Sequence, residues 1–333
     1  MPSVSDFNRF AFVVGAPRCG TTTISRLLRD HPQVCFSLVK EPHFFSLHDL
    51  RGVPEAQLRH RAEQDYLQRF FRPPERGQIG AEASVSYLYT PEQMEPILTL
   101  WPDSRFIIAV RDPMRLLPSL HQRLIYIGDE TITQFEDAWA AIPDRAAGRR
   151  IPKGCADPRW LRYDEAGRLG TYVERFFAAV GRDRCLVVVF DDLIADPQAT
   201  YHRILDFLGV DCAGPFDITP ARESRQVRSL WLQRLLKRPP RPLQRYLASH
   251  QYRRRLNGDA HFEDRAVEKI LAVRKRLLRL NWVEQPAPAV PDAVQQDIRL
   301  HLRDEIGRLE ALIGRDLGHW LQPRSGSSSE ASP

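Results

Sequence analysis

This 333-residue chain contains few cysteines, few lysines and no long apolar run. Its five cysteines are odd in number and form no C-x-x-C pair, which argues against a disulfide framework or a cysteine-based zinc site. We see no other cluster of metal ligands and expect no metal. No apolar run approaches the ~18 residues that a membrane helix needs, and the amino terminus lacks the pattern of a secretory signal. These absences predict a reduced, cytoplasmic setting.

Positive charge is unevenly distributed along the chain. The net charge is +6, but residues 222–255 contain eleven Arg or Lys and one acid, Glu223, so they carry +10 and the rest of the chain −4. Such a segment favours an anionic partner, either a phosphorylated cofactor or a peripheral anionic surface. A solvated, arginine-rich helix face would give the same pattern. Because no nucleic-acid-binding motif accompanies the segment, we expect no nucleic-acid partner.

Short apolar runs alternate with helical periodicity over the first two thirds of the chain. The runs predicted to be buried strands are Phe10–Val14, Val34–Phe36, Gln78–Ala81, Arg105–Val110 and Cys185–Phe190. Their alternation with helices predicts an α/β fold with a P-loop-type parallel sheet flanked by helices on both faces. Beyond Thr219 the signals are helical, which predicts a helical C-terminal third. We expect a single domain over residues 1–322 and a disordered tail over 323–333.

A glycine-containing segment, Gly15–Thr23 (GAPRCGTTT), follows the first predicted strand. Its two glycines have the spacing of a phosphate loop, and a helix is predicted to begin at Thr21, so backbone N–H groups and the helix N-terminus would face an anion. Thr21 stands where the Walker A motif has lysine, and the cation is Arg18 instead. This argues against ATP chemistry and suits a shorter anion such as a phosphosulfate, although a glycine turn without any ligand is the alternative. The residues expected to hold the anion are Arg18, Cys19, Gly20, Thr21, Thr22 and Thr23.

Several segments together resemble one known family. Gly15–Thr23 resembles the 5′-phosphosulfate loop of sulfotransferases that use 3′-phosphoadenosine 5′-phosphosulfate (PAPS). Arg111-Asp112-Pro113 with Ser119 resembles the motif in which that arginine and serine hold the 3′-phosphate. The segment from Lys40 to Phe45 (KEPHFF) is similar to the K-E-x-H-F-F segment of glycan and bacterial sulfotransferases, where the glutamate is the catalytic base. Two further segments resemble family sequences: Gly80–Tyr87 and Gly314–Trp320.

This resemblance implies a PAPS-dependent sulfotransferase that needs no metal and releases adenosine 3′,5′-bisphosphate. The acceptor is expected to be a hydroxyl, or as a second choice an amine, of a carbohydrate or glycolipid. Glu41 would be the general base, with His43 beside it, and Arg18 would stabilise the leaving group. In an extended segment, Glu41 and His43 would project from one side and share the acceptor proton.

The chain also departs from the family pattern. Ala83 and Val85 stand where relatives have lysine and proline, and the glycine-rich basic loop that closes over the nucleotide is not found. The segment 224–229 resembles a basic segment of bacterial members, so Arg225 and Arg228 are expected to approach the 3′-phosphate. Two other functions stay open at this point: a P-loop nucleotide kinase or NTPase, and a non-catalytic module that binds polyanions.

Overall fold

The computed structural model describes residues 1–211, 226–239, 265–283 and 289–322. At its centre is a five-stranded parallel sheet in the order β2-β3-β1-β4-β5. Its strands are β1 (Phe10–Gly15), β2 (Val34–Phe36), β3 (Ile79–Ala83), β4 (Arg105–Val110) and β5 (Cys185–Val189). The predicted parallel sheet is therefore confirmed, with strand ends within two residues of the sequence-based bounds.

The strands are apolar along their whole length because helices cover both faces of the sheet. Every residue of β1 is buried, and the Phe12 ring stacks on Phe106 of β4 at 5.4 Å between centroids. Phe10 packs against Trp101 at 4.1 Å. The Phe10 ring also lies over Gly80 of β3, where a Cβ atom would come within 2.4 Å of it. A glycine at this position thus lets an aromatic ring rest directly on the neighbouring strand.

Helices connect the strands and surround the sheet. In the first 110 residues they are α1 (Thr21–Arg29), α2 (Phe44–Leu47), α3 (Glu55–Arg61), a π-helix (Ala62–Leu67), α4 (Gln68–Phe70) and α5 (Glu95–Leu100). After β4 come α6 (Pro113–Ile127), α7 (Phe135–Ala140), α8 (Ile142–Ala146), α9 (Tyr163–Ala166), α10 (Leu169–Val180), α11 (Phe190–Ala195) and α12 (Pro197–Leu208). The 3-10 turns are Val4–Asp6, Val85–Tyr89, Pro91–Met94, Pro158–Leu161, Arg182–Arg184 and Gly318–Leu321.

The described part of the C-terminal third is mainly helical, as predicted. It contains α13 (Leu230–Lys237), α14 (Arg265–Leu280) and α15 (Asp292–Ile313), with a small antiparallel pair, β6 (Gln226–Val227) and β7 (Trp282–Val283), that the sequence did not predict. Helix α15 packs closely on α10, since a Cβ atom at Gly170 would lie 2.3 Å from the Glu305 carbonyl oxygen. None of the described helices is long and apolar enough to cross a membrane.

The strand order creates a crevice at one edge of the sheet. From β1 the chain passes to β2 and β3 on one side, and then to β4 and β5 on the other. In open parallel sheets, ligands bind outside the carboxyl ends of the strands where the connections diverge in this way. The segments that follow β1, β3 and β4 meet at this edge, and they carry most of the residues singled out in the sequence.

Candidate active site

The loop between β1 and α1 depends on glycine at both ends. At Gly15, where φ is +136°, a Cβ atom would lie 2.5 Å from both the backbone nitrogen and oxygen of Ala109 on β4. Gly20 has φ of +84° and is the N-cap of α1. The loop therefore lies flat against the sheet and leads directly into the N-terminus of a nine-residue helix. A helix N-terminus with nearby free amides favours an anion.

Arg18 connects this loop to the segment after β4. Its Nε donates to the Ser119 hydroxyl at 2.8 Å, and the Arg111 Nη1 donates to the Arg18 carbonyl at 3.0 Å. Asp112 caps α6 by accepting from the Met114 amide at 2.8 Å, which fixes the helix start between Arg111 and Ser119. The structure thus brings Arg18 together with Arg111 and Ser119, which lie 93 and 101 positions further along the sequence.

A third arginine, which the sequence analysis missed, joins this group. Burial lowers the pKa of the Arg18 guanidinium, and the charges of Arg123 and Arg111 lower it further. Within the part of the chain that the structure describes, no carboxylate lies within 4.0 Å of Arg18. Like charges held together in this way favour binding of an anion. Arg123 could have been found, because it is four residues after Ser119 and so shares its helix face.

The Phe190 side chain lies against both Arg111 and the loop after β1. The Arg111 guanidinium lies 4.3 Å from the centroid of the Phe190 ring. A Cβ atom at Gly20 would come 3.0 Å from the same ring and 2.6 Å from Leu193. The beginning of α11 thus packs under the loop after β1 and under Arg111 at once.

The remaining residues expected in the loop differ in exposure. Cys19 is fully buried, and burial raises the pKa of its thiol well above the ordinary range, so the thiol stays protonated. Thr21 is buried, whereas Thr22 is exposed and Thr23 is half-buried in the first turn of α1. Arg225 lies outside the described residues. Arg228 is exposed and its amide donates to the Asn281 carbonyl at 2.9 Å, in a segment that packs beside α6.

Glu41 and His43 lie in a left-handed turn, and the expectation of an extended segment is wrong. Their φ values are +65° and +55°. The Glu41 amide donates to the Ala83 carbonyl at 2.8 Å, and the His43 amide donates to the Ser84 hydroxyl at 2.9 Å. These contacts with the end of β3 hold the turn in a conformation that non-glycine residues rarely adopt. The side chains still meet, since His43 Nε2 lies 3.7 Å from Glu41 Oε2.

The Glu41 carboxylate contacts the Lys40 ammonium and the His43 ring. Burial alone would raise its pKa, but the His43 ring and the Lys40 ammonium, whose Nζ is 2.5 Å from Oε1, outweigh burial and lower the pKa to about 2. Glu41 is therefore ionised, the form that accepts a proton. The sequence analysis named Lys40 only as the first residue of the KEPHFF segment. Its contact with Glu41 became clear only from the structure.

A second carboxylate, Glu82, lies buried directly behind this turn. It is fully buried near the end of β3, and burial raises its pKa to about 7, although the Tyr87 and Ser84 hydroxyls oppose that shift. The Ser84 hydroxyl donates to Glu82 Oε2 at 2.8 Å while accepting from the His43 amide. The sequence signal for Glu82 was an acid inside the apolar strand Ile79–Ala83, and we did not select it.

Two other features bear on the location of the site. Within the described residues, no three His, Cys, Asp or Glu side chains are grouped as a metal site would need. A cavity of about 720 Å³ lies at the amino-terminal edge of the sheet, lined by residues such as Arg9, Asp103 and Arg184. It contains none of the residues selected from the sequence, so the carboxyl edge is the better candidate.

Comparison with known proteins finds similarity to sulfotransferases. The family model described as "Sulfotransferase family" matches residues 11–154, which include the loop, the Glu41 turn, Arg111 and Ser119. Heparan sulfate glucosamine 3-O-sulfotransferase 3B1 of Mus musculus is 29% identical over 201 residues, which are 60% of this chain and 46% of that protein. The amino-terminal half of the chain is thus similar to sulfotransferases.

Another curated sulfotransferase and a solved structure are also similar to this chain. Mouse carbohydrate sulfotransferase 15 is 22% identical over 252 residues, covering 60% of this chain and 43% of that protein. The chain thus spans about half the length of the curated sulfotransferases it matches. The crystal structure of a sulfotransferase from Alicyclobacillus acidocaldarius covers 94% of this chain and 98% of its own, with a TM-score of 0.61 at 23% identity. That likeness shows that the two proteins share a fold.

Proposed function

We propose that this protein is a sulfotransferase that transfers a sulfuryl group from PAPS to a hydroxyl of an acceptor. The observation that carries the proposal is the direct contact of Arg18 with Ser119 and of Arg111 with the Arg18 carbonyl. These contacts join the loop after β1 to the start of α6. A donor with phosphate groups at both ends needs two such anion-binding segments on either side of one crevice.

The two ends of PAPS would be held by different elements. The loop amides, the N-terminus of α1 and the Arg18 guanidinium suit the 5′-phosphosulfate. Arg111 and Ser119 suit the 3′-phosphate, because a guanidinium offers paired, charge-assisted donors to an oxyanion. We place Arg228 near the same end, since its segment packs beside α6; its neighbour in sequence, Arg225, is proposed to act with it.

The proposed reaction is an in-line transfer in which protein groups position the reactants. Glu41 takes the proton from the acceptor hydroxyl as the acceptor oxygen forms a bond to sulfur. The bond between sulfur and the bridging phosphate oxygen breaks, and adenosine 3′,5′-bisphosphate leaves. Negative charge that grows on the leaving oxygen is stabilised by Arg18 and the loop amides. His43 orients the Glu41 carboxylate from 3.7 Å.

The acceptor hydroxyl is proposed to belong to a carbohydrate or glycolipid, with an amine as the second choice. Support comes from the names of the relatives, which are heparan sulfate glucosamine and carbohydrate sulfotransferases. The kinase alternative has no comparable support, because Thr21 occupies the position of the Walker lysine and lies buried in the first turn of α1.

Calorimetry and a turnover assay test the proposal together. Adenosine 3′,5′-bisphosphate is expected to bind more tightly than ATP, and Arg228→Ala is expected to weaken that binding. With labelled PAPS and a panel of alcohols and glycans, Glu41→Gln should keep nucleotide affinity and lose about 10²- to 10⁴-fold in turnover. Glu75→Gln, a change at an exposed position remote from the turn, serves as the control. Tighter binding of ATP, or unchanged turnover by Glu41→Gln, would contradict the proposal.

A further inference from the structure

An open recess lined by aromatic rings lies beside the Glu41–His43 turn. Its cavity volume is only about 60 Å³, so a ligand would rest against its walls rather than be enclosed, and these walls include Tyr89, Trp160 and Tyr172. The Tyr89 ring centroid is 4.9 Å from that of Trp160, edge to face, and 4.6 Å from that of Tyr172. The Tyr89 hydroxyl donates to the Ala166 carbonyl at 2.9 Å, which holds this ring in place. The recess therefore presents an aromatic wall that exists before any ligand binds.

The recess is continuous with the groups to which we assign proton transfer. Ser86 lines it, and the Ser86 Oγ lies 2.7 Å from His43 Nδ1. The other ring nitrogen of His43 is the one near Glu41. Tyr89, another lining residue, lies near Cys19 in the loop after β1. A molecule held in the recess would thus lie near both the proposed base and the loop proposed to hold the sulfuryl donor.

The arginines around the recess are already neutralised. Within the part of the chain that the structure describes, each has a carboxylate partner: Arg159 with Asp157 at 2.8 Å, Arg162 with Asp164 at 2.6 Å, Arg168 with Glu165 at 3.4 Å, and Arg175 with Glu92. This differs from Arg18, whose neighbouring charges include those of Arg123 and Arg111. The two ends of the crevice are therefore built for ligands of different charge.

We infer that the recess binds the acceptor through an uncharged ring that stacks on Trp160 and its tyrosine neighbours. This inference rests on the proposed function and narrows its acceptor class. The recognised chemistry is a flat apolar ring face that bears a free hydroxyl, which a neutral sugar or an aromatic alcohol provides. A polyanionic glycan would need cations that are not already paired, and the rim of the recess does not supply them.

Competing acceptors test the inference. Octyl β-D-glucoside represents neutral sugars, 2-naphthol represents aromatic alcohols, and heparan sulfate represents polyanions. We expect kcat/KM to be higher for the glucoside or for naphthol than for heparan sulfate, with little dependence on salt; the better of the two identifies the source of the ring. Preference for heparan sulfate, with a rate that falls steeply as salt rises, would overturn the inference while leaving sulfuryl transfer intact.

Substitution of Trp160 provides the second test. Trp160→Ala is expected to raise KM for the preferred neutral acceptor roughly fivefold or more at nearly constant kcat, and Trp160→Phe should restore most of the loss. Trp231→Ala, which removes a tryptophan that is 73% exposed on α13, is the matched control. An unchanged KM for Trp160→Ala would overturn the assignment of the recess.

Direct binding keeps the test independent of turnover. Saturation-transfer NMR in the presence of adenosine 3′,5′-bisphosphate should show transfer from protein aromatic protons to the ring protons of the glucoside or naphthol. This transfer should be lost in Trp160→Ala. If the nucleotide binds by calorimetry but neither ring shows transfer, the acceptor inference is wrong. If the nucleotide itself does not bind, the proposed function is wrong.

Discussion

Unusual backbone conformations coincide with the residues proposed to act on the substrates. Among the described residues, Arg18, Glu41 and His43 are three of the four non-glycine residues with positive φ. Such conformations cost on the order of 1–3 kcal/mol each and persist only where the surroundings enforce them. Here the Ala83 carbonyl and the Ser84 hydroxyl enforce two of them. Side-chain direction at the site is therefore set by the end of β3.

The acid limit of turnover should depend on Lys40. In the wild-type protein, the His43 ring and Lys40 lower the pKa of Glu41 to about 2, so the base is ionised well below neutral pH. Lys40→Met removes the ammonium that pairs with Glu41 and should raise the pKa of Glu41. We expect the acid limb of the kcat/KM profile to move to higher pH by about one unit. Rates measured from about pH 2.5 to 7 check this, because both limbs lie below about pH 4.

Lys153→Met is the matched control for this experiment, because Lys153 is exposed and lies far from Glu41 in the sequence. Its pH profile should follow that of the wild-type protein. If Lys40→Met gave the same acid limb as the control, the ion pair between Lys40 and Glu41 would not influence the pKa of the proposed base.

At the scale of elements, the contact between β1 and β4 fixes where the loop begins. Gly15→Ala would bring a Cβ atom to 2.5 Å from the Ala109 backbone. We expect the free energy of unfolding to fall by about 3 kcal/mol or more. The added methyl group would clash with backbone atoms, which cannot move aside as a flexible side chain can, so β1 and β4 would have to separate.

Gly77→Ala is the control for this substitution. Gly77 also has a positive φ, +87°, but no atom lies within 4 Å of the added methyl group. Gly77→Ala should lower the free energy of unfolding by about 1 kcal/mol, because only the unfavourable positive φ of an alanine contributes. Denaturant unfolding of both variants gives the comparison, and equal losses would show that close approach of the strands is not what requires glycine at position 15.

Strands and long helices were predictable because their signals are local. The bounds of β4 are those expected from its apolar run, and helical spacing predicts helices over Pro197–Leu208 and Asp292–Ile313, which are the bounds of α12 and α15. For α6 the spacing predicts a helix only from Leu116, so the start at Pro113 is missed, although Asp112 supplies a cap and Pro113 a favourable first residue. The left-handed turn at Glu41 and His43 was not predictable, because it depends on β3, forty residues away.

At the scale of the whole molecule, Glu82 should make stability depend on pH. Burial raises its pKa in the folded protein from 4.5 to about 7. Its contribution is therefore fully present below pH 4.5 and is lost as the pH rises through 7, because the unfolded chain releases the proton first. We expect this loss to be roughly 3 kcal/mol at most.

Denaturant unfolding at pH 5 and pH 8 measures this contribution. The free energy of unfolding should differ less between pH 5 and pH 8 in Glu82→Gln than in the wild-type protein, by up to roughly 3 kcal/mol, because glutamine does not titrate. Glu75→Gln, at an exposed position, should keep the wild-type difference. If Glu82→Gln also kept it, Glu82 would titrate as an ordinary carboxyl.

Much of the candidate site was predictable because its residues follow strands of one parallel sheet. Arg18 and Arg111 each come directly after a buried strand, so the sheet brings them to one edge. Arg123, Lys40 and Glu82 were missed because their importance lies in charge and burial, which arise only when distant elements pack. The arginine-rich segment 222–255 falls mostly outside the described residues, and the roles of Arg225 and Arg228 stay predictions.

The shared position of the Phe190 ring constrains attempts to redesign this protein. Because the ring lies under Arg111 and beside Gly20, replacing it would disturb recognition at both ends of a nucleotide at the same time. A redesign that aims to exchange one donor molecule for another should therefore leave Phe190 unchanged. It should vary only side chains that reach a single end, so that recognition of each end of the donor can be changed separately.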